Sequence, residues 1–304
     1  MKKSVVIIMG PTGVGKSDCA EVLASALNGV IINGDLGQMY APLSIGTAKP
    51  QWQQSPIEHY LFDTITQPRN ISVVEYRKTV LPLITTSFQR SKVPIIVGGS
   101  GFYIQSLLFP PHEHELEKKP VQHDLYQEDT ELLWHKLYAL DPERAHAINK
   151  TDRYRIVRAL TIFDTTGILP SQARPGFVGD FDFHIIFLQR DRHDLYERIN
   201  IRVEKMIHAG FINEVQALSP EWKEFLTIKK IIGYDLIIDY LEHSNFSEHN
   251  LIAAIQQKTR QYAKRQISFW NMFKKRLPAG TYEEVNLTFL DLPLYIKQLS
   301  QFFT

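Results

Sequence analysis

The sequence predicts an α/β protein in which helices flank a parallel sheet, with a helical insertion and a helical C-terminal region. Three observations predict this class. Up to residue 110, short runs of β-branched residues alternate with segments of helical period, as in parallel sheets with right-handed crossovers. From 112 to about 179 helix signals continue without a convincing strand, and after one further strand helical patterns return. We therefore expect an α/β core from 1–111 and 181–304, and a helical insertion domain from 112–180.

The first part of the chain predicts three strands and three helices. Short apolar runs indicate buried parallel strands, because such strands are covered on both faces. Ser72, followed by Glu75, forms a capping-box pattern that begins one of the helices. The predicted strands are 4–9, 30–32 and 93–97, and the predicted helices are 17–27, 72–90 and 102–108.

The later elements are indicated by caps and apolar periodicity. Asp141 before Pro142 is typical of an N-cap and the first helical position. Either Thr151 or Asp152 caps a further helix, whose apolar residues recur at helical spacing. The remaining predictions are a strand at 183–188 and helices at 195–209, 231–240 and 251–273.

Composition limits the classes of function. The 304 residues are 44% hydrophobic and 22% charged, as in an ordinary globular protein. A formal net charge of +1 means that any nucleic-acid site is a local patch. Cys19 is the single cysteine, which excludes an internal disulfide. No run approaches the ~20 apolar residues of a membrane span, and the run at 5–9 is too short for a secretory signal, so we expect no membrane partner and a cytoplasmic location.

A complete phosphate-binding motif follows the first strand. Residues 10–17 read GPTGVGKS, which matches G-x-x-x-x-G-K-[ST] between a strand and a helix, and predicts a P-loop NTPase-like sheet. Backbone N–H groups and the helix N-terminus attract polyphosphate, the lysine adds a full charge, and the serine hydroxyl suits Mg²⁺. The predicted diphosphate- or nucleotide-binding set is Gly10, Pro11, Thr12, Gly13, Val14, Gly15, Lys16 and Ser17.

The position of the nearest carboxylate favours an acceptor base over a metal ligand. Nucleotide-hydrolysing P-loop proteins usually have an aspartate at the end of a second apolar strand. Here the strand at 93–97 ends in the sequence GGSG, and the carboxylate Asp35 follows the strand at 30–32 instead. Both strand ends belong to the carboxyl edge of the sheet, where ligands bind. The alternative is that Asp35 only structures its loop.

Further motifs over nearly the whole chain resemble the tRNA dimethylallyltransferase (isopentenyl-tRNA transferase) family in its bacterial form. DLGQMY at 35–40 and IGTAKP at 45–50 are similar to its D-S-x-Q-x-Y and I-G-T-A-K-P signatures. GGSGFY at 98–103 resembles its G-G-T-G-x-Y turn, and Asp141-Pro142 with DRYRIVRAL at 152–160 resembles its D-P…D-x-x-R-x-x-R-A-L segment. The segments 198–206 and 259–266 look like its two C-terminal helical signatures.

The resemblance implies an enzyme that transfers a dimethylallyl group from dimethylallyl diphosphate to N6 of adenosine 37, beside the tRNA anticodon. Its implied catalytic residues are Asp35 as base, Thr12, Ser100 and Lys16. Arg202 would clamp diphosphate oxygens, or alternatively form a surface ion pair. Ser17 would hold Mg²⁺, the expected cofactor, together with diphosphate oxygens.

The resemblance also implies a partner, the tRNA anticodon stem-loop. The target base must leave its stack, and loop recognition uses stacking and phosphate contacts. Seven basic and no acidic residues lie between 258 and 276, a pattern that favours RNA, although a solvated helix face is the alternative. The expected RNA-contacting residues are Asp35, Leu36, Gly37, Gln38, Ser100, Tyr154, Arg155, Ile156, Val157, Arg158, Lys258, Arg260, Lys264 and Arg265.

Three other functions remain open on the sequence. A P-loop small-molecule or nucleoside kinase would bind ATP and use Asp35 to activate a hydroxyl. An isopentenyltransferase acting on free adenine nucleotides would keep the chemistry but leave the basic C-terminal helix unexplained. A non-catalytic RNA-binding switch would need no base. We also expect a monomer.

Overall fold

The computed structural model describes residues 4–110, 128–173, 176–177, 181–243 and 247–303. Among these residues, no helix is both long enough and apolar enough to cross a membrane. Up to residue 110 the elements are β1 (Ser4–Met9), α1 (Lys16–Leu27), β2 (Gly29–Asn33), α2 (Leu36–Met39), β3 (His59–Tyr60), α3 (Val73–Gln89), β4 (Val93–Val97) and α4 (Gly101–Leu108).

The remaining elements follow the same chain order. The next helices are α5 (Thr130–Leu140), α6 (Pro142–His146) and α7 (Arg153–Thr166). They are followed by β5 (Asp182–Gln189), α8 (Arg192–His208), α9 (Phe211–Gln216), α10 (Pro220–Lys229), α11 (Tyr234–His243), α12 (Glu248–Phe273), β6 (Tyr282–Asn286) and α13 (Leu292–Phe303).

Six parallel strands form one sheet in the order β3-β2-β4-β1-β5-β6. Ile7 of β1 lies beside Ile96 of β4 and Ile185 of β5, so the strand before the phosphate motif is central. All three isoleucines are fully buried, as expected for a parallel sheet covered on both faces. Because all the strands are parallel, their carboxyl ends meet at one edge, and this edge carries the site.

The chain divides into two compact units. The first contains 1–72, 76–105 and 179–304, and the second contains 73–75 and 106–178. The second unit has its own core, formed by residues such as Leu133, Leu137 and Ile156 on α5 and α7. The insertion domain at 112–180 stays a prediction, and its residues 112–127 lie outside the described part of the chain.

Most predicted elements are present, and the differences have physical reasons. Asp141 and Asp152 cap α6 and α7 through their carboxylates, as predicted. The segment after Asp35, for which no helix is predicted, begins with the short helix α2. The sequence predicts only helices in the C-terminal part, whereas the structure has the strand β6 there as well. Only Val285 of β6 is buried, so this edge strand lacks the apolar run that revealed the others.

Candidate active site at the carboxyl edge of the sheet

The phosphate motif forms a loop between β1 and α1 that two arginines support. Gly13 and Gly15 have φ angles of 82° and 107°, in the left-handed region that side chains other than glycine rarely adopt. Arg190 donates from Nε to the Val14 carbonyl oxygen at 2.9 Å, and Arg198 donates from Nε to that of Gly13 at 3.0 Å. Because both bonds join the loop to residues outside it, they hold the loop in this shape.

Lys16 lies inside this cradle. Its Nζ donates to the carbonyl oxygens of Gly10 and Pro11, at 3.0 Å each. Burial is the main reason that the pKa of Lys16 falls to about 8; the charge of Asp35 opposes this shift, and the charge of Arg202 adds to it. Lys16 is therefore charged below pH 8 and loses its proton as the pH rises through that value. Its interaction with Asp35 and Arg202 ties the three groups into one electrostatic site.

The ends of β2 and β4 approach so closely that only glycine fits. A Cβ atom on Gly98 would lie 2.1 Å from the backbone of Gly34, and the Gly34 N–H donates to the Val97 carbonyl oxygen at 2.6 Å. Ser100, just beyond, accepts at Oγ from the Leu36 N–H at 3.1 Å. This close approach explains why the chain has GGSG after β4 and places the start of α2 beside that turn.

Asp35 is fixed as the N-cap of α2. Its Oδ1 accepts from the Gly37 N–H at 3.1 Å, and its own N–H donates to Asn33 Oδ1 at 2.8 Å. Asn33 is fully buried and also donates to the carbonyl oxygens of Asp35 and Leu61. No described residue hydrogen-bonds to Oδ2 of Asp35, and Asp35 is one of the residues that line a cavity. Asp35 thus structures its loop, the alternative raised above, and still has one oxygen for a ligand.

The loop at 44–50, which contains IGTAKP, is held by a half-buried carboxylate. Glu214 of α9 accepts from the backbone N–H groups of Ser44, Ile45 and Gly46 at 2.9, 2.6 and 3.2 Å. It also accepts from the Tyr234 hydroxyl at 2.6 Å, and burial together with Glu214 raises the pKa of that phenol. Gln38 donates from Nε2 to two carbonyl oxygens of the same loop, those of Thr47 and Ala48, both at 3.2 Å. Glu214 is therefore an anchor for this part of the cavity wall.

We expect Glu214→Ala to destabilise the protein by about 1–3 kcal/mol, because it leaves the buried Tyr234 hydroxyl and the partly buried N–H groups of Ile45 and Gly46 without their acceptor. Tyr234→Phe removes one donor and leaves the other three bonds, so it is the matched control, with an expected loss of about 0.5–1.5 kcal/mol. Urea denaturation of both variants measures these free energies of unfolding. A Glu214→Ala protein as stable as wild type would contradict the anchoring role.

Lys49, in the same loop, has a structural role. Its Nζ donates to the Tyr40 carbonyl oxygen at 2.9 Å and pairs with the carboxylate of Asp63, and its side chain is 4% exposed. Trp52 donates from Nε1 to the other Asp63 oxygen at 3.0 Å. This lysine is fully engaged within the protein and is not one of the cations that line the cavity.

Gln266 of α12 joins the phosphate loop to the turn after β4. Its Oε1 accepts from the Thr12 N–H at 2.8 Å, and its Nε2 donates to the Gly99 carbonyl oxygen at 3.0 Å. The Tyr262 hydroxyl also hydrogen-bonds to this side chain. A Cβ atom on Gly99 would lie 2.3 Å from Gln266 Nε2, so the glycine leaves room for the bridge. Gln266 thus couples the cradle to the strand end beside Asp35.

A cavity of about 960 Å³ unites these elements. Among the described residues, seven cationic side chains and two carboxylates line it, a difference of five positive charges, whereas the whole chain has a net charge of +1. Its size is that of a small-molecule site, and its charge suits a polyanion. The predicted site residues in its wall are Thr12, Gly13, Gly15, Lys16, Ser17, Asp35, Leu36, Gly37, Gln38, Ser100, Arg202 and Arg265.

The other predicted residues lie elsewhere. Gly10, Pro11 and Val14 are buried in the loop behind the cavity surface. On α12, Lys258 pairs with Asp235 at 2.8 Å, Arg260 donates to Asn200 Oδ1 at 2.6 Å, and Lys264 is exposed. These three are absent from the cavity wall, so contacts between them and RNA remain a prediction.

Five predicted RNA-contacting residues belong to α7 in the second unit. Tyr154 is 72% exposed, and Arg155 and Arg158 are also exposed. Ile156 and Val157 are 0% and 1% exposed and pack into the core of that unit. Their side chains are therefore inaccessible to RNA, and any contact proposed for α7 rests on the three exposed residues.

Sequence reasoning missed several members of the site. Gln266 ends the signature at 259–266. The signal that could have identified it is a polar residue on the apolar side of a helix. Arg198 begins the signature at 198–206, which was its signal. Lys205 lies within the same signature and shares that signal, whereas Glu214, Arg190, Lys229 and Lys230 had none, because tertiary packing alone brings them to the site.

The fold and the cavity together define a class: a P-loop α/β protein whose phosphate cradle shares one basic cavity with an aspartate from a neighbouring strand end. The chain belongs to the IPP transferase family, whose model matches residues 38–273. The predicted family membership and fold class are confirmed.

Curated relatives agree with this membership. The chain is 35% identical to the tRNA dimethylallyltransferase of Bacillus mycoides over 295 residues, which cover 93% of this chain and 90% of the relative. It is also 35% identical to the tRNA dimethylallyltransferase of Thermotoga maritima, with 95% of this chain and 94% of the relative covered.

Solved structures are similar over the same extent. The tRNA isopentenylpyrophosphate transferase of Bacillus halodurans is 29% identical, with a TM-score of 0.67 and coverage of 99% of this chain and 96% of that one. A eukaryotic dimethylallyltransferase acting on tRNA is 25% identical, with a TM-score of 0.79 and coverage of 99% and 77%.

Proposed function

We propose that this protein transfers a dimethylallyl group from dimethylallyl diphosphate to N6 of adenosine 37, beside the anticodon of tRNA, and releases diphosphate. The observation that carries the proposal is the single basic cavity shared by the phosphate cradle and Asp35. Membership of a family with curated tRNA dimethylallyltransferases supports the same reaction.

The donor end of the cavity suits a diphosphate leaving group. As the allylic C–O bond breaks, its electron pair passes to diphosphate, and the allyl unit acquires cation character. Lys16, Arg202 and the loop N–H groups stabilise the charge that grows on the leaving oxygen. Burial lowers the pKa of Arg202, yet nearby Asp35 and Asp18 favour its charged form.

Mg²⁺ is the proposed cofactor at this end. Ser17 and Asp18 line the cavity beside Lys16 and offer the oxygen donors that Mg²⁺ prefers, so the residues fit the ion. When bound, it would neutralise diphosphate charge. Among the described residues, no group of three or more His, Cys, Asp or Glu side chains forms a metal site, which agrees with an ion held chiefly through the substrate.

The acceptor end suits an aminopurine. The N6 amine is a weak nucleophile, because its lone pair is delocalised into the ring. Asp35 Oδ2 accepts the N6 proton while the N–C bond to the allyl carbon forms, and Oδ1 stays bonded to Gly37. Gln38 lines the cavity, and its Nε2 donates to the carbonyl groups of Thr47 and Ala48, which leaves its side-chain oxygen for the base. Thr12 and Ser100 lie between donor and acceptor groups in the site that we propose.

The two enzyme rivals predict different donors or acceptors. A kinase would transfer a phosphoryl group from ATP, whereas the strand end after β4 has no metal-binding carboxylate. A free-nucleotide isopentenyltransferase needs no large basic surface, and five excess positive charges in the cavity wall favour RNA. A cytoplasmic monomer, as predicted from the sequence, is compatible with this proposal.

The test incubates the protein with dimethylallyl diphosphate labelled in the allyl group, Mg²⁺ and an anticodon stem-loop with adjacent adenines. Parallel reactions replace the RNA with AMP or the donor with ATP. We expect label in the RNA alone. Transfer to AMP but not to RNA would overturn the tRNA assignment, and phosphate release from ATP without prenyl transfer would overturn the class of reaction.

A further inference from the structure

Three lysines form a second basic region in the cavity wall, separate in the sequence from the phosphate motif. Lys205 lies in the last turn of α8, Lys229 ends α10, and Lys230 follows it as the C-cap. All three line the cavity that contains Asp35. Lys230 has a φ angle of 52°, in the left-handed region, where the chain turns from α10 toward α11. We call these residues the lysine wall.

The lysine wall has no protein partner in the described part of the chain. Other lysines do pair with carboxylates: Lys258 with Asp235, Lys274 with Glu284, and Lys136 with Glu128. Lys205, Lys229 and Lys230 make no ion pair or side-chain hydrogen bond with a described residue. Cations that converge on one cavity repel each other, and an anionic ligand relieves this repulsion.

The donor does not require these lysines. The phosphate loop, Lys16 and Arg202 already supply the groups that a diphosphate needs, and they come from other segments of the chain. Arg265 adds a further cation to the wall and packs over the Tyr262 ring at 5.7 Å. Single-stranded RNA offers bases and a phosphate at every nucleotide, so it matches a wall that combines cations with aromatic and apolar groups.

We propose that the lysine wall binds the phosphodiester groups next to the target adenosine, and so holds the RNA while its base occupies the cavity. This inference rests on the proposed function and assigns residues to the binding of the RNA substrate. Lysine suits such a role because its ammonium is a compact charge on a flexible stem, which follows a backbone without reading the base.

The experiment measures equilibrium binding of an anticodon stem-loop by Lys205→Gln, Lys229→Gln and Lys230→Gln at several salt concentrations, without the donor. Affinity falls as salt rises, and we expect each change to make this negative slope of log affinity against log salt shallower by about 0.7. Binding should weaken about fourfold at 0.15 M salt. The Michaelis constant for dimethylallyl diphosphate should stay within twofold of wild type, and Lys229→Arg should restore the salt slope.

Lys223→Gln is the matched control, because Lys223 lies on the same α10 helix but not in the cavity wall. An unchanged salt slope in the three lysine variants would overturn the proposal. So would a rise in the donor Michaelis constant, which would assign the lysines to diphosphate. A lower melting temperature with an unchanged slope would assign them to the helix C-termini, where cations are favourable. Binding is measured without turnover, so failure here is distinct from failure of prenyl transfer.

Discussion

Asp35→Asn should lower kcat by roughly 10²–10⁴-fold, the contribution expected of a general base. Asparagine keeps an oxygen that accepts from the Gly37 N–H, so the cap of α2 and the fold survive the change. It cannot accept the N6 proton, so the amine loses the group that makes it a better nucleophile. The measurement is single-turnover transfer at saturating donor and RNA.

Binding of the stem-loop to the Asp35→Asn variant provides the control, and we expect a dissociation constant within about threefold of wild type, since one charge in a partly solvated cavity has a modest effect. Asp63→Asn is the matched substitution, because Asp63 pairs with Lys49 outside the cavity wall. Asp35→Asn that retains the wild-type rate but binds RNA weakly would make Asp35 a recognition residue and contradict its role as base.

Gln266→Leu should reduce kcat/KM for the donor on the order of 10²-fold and destabilise the protein as well. The change leaves the Thr12 N–H and the Gly99 carbonyl without their partner, at a cost of about 1–3 kcal/mol for each buried group. It also releases the phosphate loop from the strand end beside Asp35, and displacements of about 1 Å at a reacting centre have kinetic effects of this size. Donor kinetics and urea denaturation measure the two effects.

Gln256→Leu is the control on the same helix. Gln256 donates to the Asn200 carbonyl oxygen at 3.3 Å and to Glu204 at 3.2 Å, away from the cavity wall. Gln266→Glu gives a second comparison, because it keeps the acceptor for Thr12, loses the donor to Gly99 and adds a negative charge beside the cradle. Equal donor kinetics for Gln266→Leu and Gln256→Leu would remove Gln266 from the positioning network.

The sequence predicted the parts of the site that local rules determine. The phosphate loop follows from its motif, and the apolar strands around it follow from their composition, so the positions of Lys16 and Asp35 at one sheet edge could be inferred. The loop-structuring role of Asp35 was an alternative on the sequence, and the structure shows that Oδ1 has this role while Asp35 also lines the cavity.

What the sequence could not predict depends on contacts between distant segments. Gln266 reaches Thr12 across 254 residues, and Glu214 reaches Ile45 across 169. No local spacing reveals such partners. The buried positions of Ile156 and Val157 were available from the apolar period of their helix, yet a motif resemblance placed them among RNA contacts. Where periodicity and resemblance disagreed, periodicity described the side chains correctly.

The reaction that we propose for this cavity breaks a C–O bond and not a P–O bond. The direct test uses dimethylallyl diphosphate with ¹⁸O in the oxygen that joins the allyl carbon to phosphorus, and follows that label by mass spectrometry during transfer to the stem-loop. Attack of N6 on carbon leaves all the ¹⁸O in the released diphosphate, with one diphosphate formed for each prenylated adenosine. Recovery of the ¹⁸O in an allylic alcohol, or phosphorylated RNA without a prenyl group, would contradict cleavage of the C–O bond.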